Sequence, residues 1–120
     1  MLKAYKLFTG PDGHSHFTEG TVSPNVLTTA VALQFKETPG HSTYDWHTAP
    51  TTQYVVTLSG TLEFVMNSGK SFILKPGDVL IAMDTTGSGH KWQILDEAPW
   101  KRLYVVFKEG SEINFVPNPA

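Results

Sequence analysis

Cysteine is absent from the 120 residues, which removes disulfides, thiolate metal sites and cysteine nucleophiles together. Charge is sparse: charged residues make up 17%, the net charge is −2, and the basic residues form no run. Such a surface has no electrostatic footprint for nucleic acid or an anionic membrane. No apolar stretch approaches the roughly 20 residues that span a bilayer. The opening MLKAYKLFTGPDG reaches Gly10 without the apolar stretch of a signal peptide. The expectation is a cytoplasmic protein with neither a membrane nor a nucleic-acid partner. A Gly-rich phosphate loop is missing as well, because GSGH follows no strand-to-helix pattern. Ser59, Ser71 and Ser88 stand in turns without a His–Asp pattern, which argues against a serine hydrolase. Nowhere do apolar residues recur at the three-and-four spacing of an amphipathic helix.

What is there is strand-like. Short β-branched or aromatic runs cover 26–35, 52–60, 61–66, 71–75, 78–83, 90–95 and 101–107, with a weaker one at 112–117. Between them lie ETPGHST, NSGK, KPGD, DTTGSG and DEAPW, each with Gly or Pro where the chain should reverse. Pro76-Gly77 suits a type II turn, and Asn67 or Gly69 can take the positive φ of a hairpin. This is the pattern of an all-β sandwich or closed barrel. One domain over 1–120 is expected, with a barrel core at 26–107 between an N-terminal segment, 1–25, and a C-terminal strand and tail, 108–120. The two ends, GPDGHSHFTEG and VPNPA, are the places expected to be poorly ordered or to cross to a partner.

Strand 52–60 speaks for both of its faces. If Gln53 points inward, alternation puts Val55 and Thr57 inside and Tyr54, Val56 and Leu58 outside. The outer set is the more apolar, so it needs a cover: the N-terminal segment or a second subunit. A homodimer is the preferred expectation.

His47 precedes this strand, Gly60 ends it, and His90 follows DTTGSG. These residues resemble the signatures of the cupins, G-x5-H-x-H-x3,4-E-x6-G and G-x5-P-x-G-x2-H-x3-N. Gly60 falls on the closing glycine of the first, Gln53 on its glutamate, Ala49 on its second histidine and His47 on its first. In the second, Lys75–Asp78 matches the turn and His90 the ligand, after a longer loop. The resemblance covers residues 26 to 107 and resembles a subgroup of small bacterial single-domain cupins. It implies a double-stranded β-helix, or jelly-roll barrel, with a cavity for a small molecule and a divalent transition metal (zinc, iron, nickel or manganese).

Taken as chemistry, His47, Gln53 and His90 make a neutral donor set: two imidazoles and one amide oxygen. An ion held so keeps its full charge, acidifies bound water and attracts an anionic ligand. The oxygen-activating iron triad needs a carboxylate, which Asp45 or Asp84 would have to bring. The bland alternative is that both histidines line the barrel and hydrogen-bond their neighbours, giving a metal-free ligand-binding or sensing module. Asp84 has two readings, a cap on the backbone of Thr85 to Gly87 and a general base at the cavity mouth. His14 and His16 form the only literal H-x-H but lie in a turn with Asp12-Gly13 at its centre, and His41 reads as a loop residue. Met66, Met83 and Trp92 are the candidates to line an apolar pocket.

Overall fold

The computed structural model describes residues 2–119. It is all-β, with no helix among the described residues, so none is long and apolar enough to cross a membrane. Two sheets face each other. The larger contains β1 (Leu2–Thr9), β2 (Ser15–Val22), β3 (Ala32–Thr38), β5 (Gln53–Ser59), β8 (Val79–Ala82), β10 (Trp100–Val106) and β11 (Val116–Pro117), in the order β11-β2-β1-β8-β5-β10-β3. The smaller runs β4-β9-β6-β7, from β4 (Thr43–His47), β9 (His90–Ile94), β6 (Leu62–Met66) and β7 (Ser71–Leu74). This double-sheet arrangement agrees with the jelly roll that the sequence implies.

Between the sheets lies a core of Tyr5, Leu7, Val55, Leu62, Phe64, Phe72, Leu74 and Trp100, among others. Tyr5 of β1 stacks on Phe72 of β7 with ring centroids 4.3 Å apart, tying one sheet to the other. A second cluster covers the opposite face of the larger sheet: Ala4, Tyr54, Val79, Ile81 and Phe107, with Ile113 and Phe115 packed on them. The central strand β8 is therefore buried on both faces, which is why DVLIAM reads as an unbroken apolar run rather than an alternation.

Several expectations need correction. The N-terminal segment is not a loose end. β1 and β2 form a hairpin across a turn in which the Asp12 carboxylate accepts from the His14 backbone N–H and Gly13 has φ +78°. β1 also pairs in parallel with β8, a long-range partner that no local pattern could announce. In the 26–35 run the strand begins only at Ala32, and YDWH, which falls in none of the expected runs, lies in β4.

The outer face of β5 is covered in part by the chain itself. Tyr54 packs on Phe107, and its hydroxyl accepts from the Asn114 backbone N–H at 2.9 Å. Leu58 remains exposed, as do Leu33 and Phe35 on the edge strand β3.

Candidate metal and ligand site

The two motif histidines meet. In the antiparallel pairing of β4 with β9, His47 and His90 are direct partners, and a bulge between Tyr44 and His47 brings the first into place. Their ring centroids are 4.5 Å apart. Gly89 makes the approach possible: its φ is +74°, and a side chain there would overlap the carbonyl of His47.

Each ring is held by its Nδ1. His47 donates from Nδ1 to the Asp45 carbonyl at 2.8 Å, because a carbonyl can only accept. His90 Nδ1 lies 2.6 Å from Asp84 Oδ2, which also accepts from the Ser15 hydroxyl at 2.6 Å. A neutral imidazole that donates from Nδ1 carries its lone pair on Nε2. Both histidines line a cavity of about 580 Å³, within the range of small-molecule pockets. Burial is the largest influence on His47 and pushes its pKa below the usual histidine value; neighbouring His90 adds to this, while the bond to Asp45 opposes it.

Gln53 lines the same cavity from β5, as the alternation requires, and Val55 follows it inward. Its side chain is buried and makes no hydrogen bond among the described residues. Asp84 departs from both of its sequence readings. It is fully buried and away from the cavity lining, so it is not a base at the mouth, and its carboxylate does not cap Thr85 to Gly87. Its Oδ2 stands behind the His90 ring, on Nδ1. Its Oδ1 has no hydrogen-bond partner among the described residues.

The His90 loop is braced by the N-terminal hairpin. Ser15 bonds Asp84, the Ser88 backbone N–H donates to the Gly13 carbonyl at 2.9 Å, and the Thr9 hydroxyl donates to the Thr86 carbonyl at 3.0 Å. His14 Nδ1 lies 2.8 Å from the Ser88 hydroxyl oxygen, while His16 pairs with Asp12 on the exposed turn.

Of the expected pocket residues only Trp92 lines the cavity. Met66 is core, and Met83 packs on the outer face because Ala82 before it points in. The lining residues missed include Trp100, Arg102 and Tyr104 of β10. Alternation in WKRLYVVF separates them from Leu103 and Val105, but the latter set is the more apolar and so reads as the inward one.

Among the described residues no group of three or more His, Asp or Glu is placed to hold a metal ion. The side chains of metal-binding type that share the cavity are the two imidazoles and the Gln53 amide. That chemistry suits zinc or nickel; manganese and the iron triad call for carboxylate.

No family model matches the chain. Two proteins of Diaporthe leptostromiformis, phomopsin biosynthesis cluster proteins C′ and D, are each 34% identical over 67 residues, which is 56% of this chain and 34% of theirs. The chain thus matches about a third of the length of these curated relatives. Among solved structures, a DUF861 family protein of Thermotoga maritima is 22% identical, with TM-score 0.48, over 63% of this chain and 77% of that one. A Salmonella typhimurium LT2 chain described as a putative ethanolamine utilization protein Q is 16% identical, with TM-score 0.49, over 89% and 96%. Within this chain, two all-β sheets enclose one cavity, and both motif histidines line it.

Proposed function

We propose that the barrel binds a small organic molecule beside a divalent metal carried by His47 and His90 through Nε2, with the Gln53 amide oxygen as a third donor. The observation that supports this reading is the anchoring of both rings by Nδ1, which leaves two Nε2 lone pairs on adjacent rings at one cavity. A resident zinc or nickel ion would supply a Lewis acid there. The chain's own part is to hold two neutral imidazoles in fixed orientation and to enclose the ligand between aromatic walls, Phe64, Trp92 and Trp100.

Protein stripped with a chelator and titrated with Zn²⁺ at pH 7.5, about a unit above the ordinary histidine value, should take up one ion per chain. His47→Ala and His90→Ala should each abolish this uptake. Because burial lowers the His47 pKa, protons compete only below the usual histidine value: affinity holds at neutral pH and falls once pH drops under about 6.5. Wild-type protein that takes up no metal while keeping its fold would instead support the metal-free binding module.

The exposed apolar stripe of Leu33, Phe35 and Leu58 belongs to the same proposal. A second copy pairing two-fold along the free edge of β3 would cover it. Sedimentation should give twice 13.2 kDa, and Phe35→Lys should return the monomer; wild-type monomer at tens of micromolar, on the order of ordinary dimer affinities, would exclude the pairing.

A further inference from the structure

The cavity that holds the histidines has a second polar end with a different character. Arg102 of β10 is only 2% exposed, yet no carboxylate pairs with it among the described residues. Its Nε donates to the Tyr104 hydroxyl at 3.1 Å, and its Nη1 donates to the Thr38 hydroxyl at 2.7 Å and the Trp100 carbonyl at 3.1 Å. Its guanidinium carbon stands 3.7 Å from the Trp100 ring centroid, a stacking that fixes the plane. Nη2 has no acceptor among the described residues, so two N–H groups remain unused.

The partners of Arg102 point to the same chemistry. Tyr104 and Thr38 each accept from it, so each hydroxyl hydrogen is left to donate, and neither finds an acceptor among the described residues. Directly opposite Arg102 in the β3–β10 register stands Lys36, also on the cavity face. Like charges facing one another across a strand pair repel, and a buried cation without a counterion is costly. Among the described residues no Asp or Glu lines the cavity to relieve either. The group offers donors and positive charge, and it lacks an anion.

We propose that Lys36, Thr38, Arg102 and Tyr104 form a subsite for the carboxylate of an organic acid, whose apolar body lies along Phe64, Trp92 and Trp100. This deepens the reading of the cavity as a small-molecule site but does not depend on the metal. Because Nε and Nη1 are already engaged, the ligand meets Nη2 and the two hydroxyls rather than the two-nitrogen fork of the guanidinium.

The test uses chelator-treated full-length protein, so that no ion can attract the anion, with tryptophan fluorescence as the readout. Benzoate should quench saturably, and neutral benzamide should bind about tenfold more weakly or worse. Added salt should weaken benzoate alone. Lys36→Met alters an exposed side chain and Tyr104→Phe keeps the ring. Each should reduce benzoate affinity by about three- to tenfold and benzamide affinity by less. Arg102→Gln should remove the discrimination, and if it fails to fold the other two variants decide. Equal binding of benzoate and benzamide, no saturable binding of benzoate, or unchanged benzoate affinity in both Lys36→Met and Tyr104→Phe would overturn the subsite. Inorganic phosphate binding more tightly than benzoate through the same residues would overturn the carboxylate class. Zinc uptake without anion discrimination removes the subsite and keeps the metal reading; discrimination without zinc uptake does the reverse.

Discussion

Asp84→Ala should lower the stability of the protein by about 3–5 kcal/mol, the usual cost of removing one partner from a buried, hydrogen-bonded polar cluster. For a chain of this size that is a fall in Tm on the order of 10–20 °C. Two buried donors, the Ser15 hydroxyl and His90 Nδ1–H, would lose their shared acceptor at once. The loop behind them would lose its tie to the N-terminal hairpin. Deleting the carboxylate also removes the unpartnered Oδ1, which offsets part of the loss. Asp84→Asn separates the two roles of the residue. The amide oxygen can still accept from Ser15 and His90, so stability should fall less, but the ring loses its charged partner. Zinc affinity should then fall about 10–100-fold, as for other partners that orient a ligating histidine. Thermal melts and zinc titrations of the two variants check this. An Asp84→Ala protein that melts within a degree or two of wild type would show that the cluster holds nothing in place.

The residues of this cluster mark where sequence reading stops. His47, Gln53 and His90 were legible because their signals are local: a period of two along β5, a glycine at its end, and histidines at motif spacing. The Pro76-Gly77 turn was legible for the same reason, and Gly77 has the φ of +89° that the turn requires. Ser15 was not, because its partner is a residue of a distant loop, brought near only when β1 pairs with β8. Lys3 and Lys6 also break the apolar count of β1, though Ala4 and Leu7 are fully buried. Arg102 was hidden by a more general effect. When a sheet lines a polar cavity on one face and is covered by its own chain on the other, the apolar alternation points away from the site. Tyr54 follows the same rule on β5: it needed a cover, and the segment around Asn114 provides one.

Gly89→Ala should disrupt the site more than any change outside the ligands themselves. Two costs are superimposed at this position. At φ +74° an alanine is strained by about 1–2 kcal/mol wherever it stands. In addition its Cβ would overlap the backbone carbonyl of His47, and a backbone atom of a paired strand cannot swing aside as a side-chain tip would. β4 must move off β9, and His47 moves with it, away from the ring of His90. Gly69→Ala supplies the control, since Gly69 has φ +88° but a Cβ there meets nothing within 4 Å. Gly69→Ala should lose only the conformational part, about 1–2 kcal/mol, and should bind zinc as tightly as wild type. Gly89→Ala should lose more stability than the control and most of its zinc affinity. Equal losses of stability in the two variants, with zinc binding intact in both, would mean that the closeness of His47 to Gly89 is not what sets the spacing of the histidine pair.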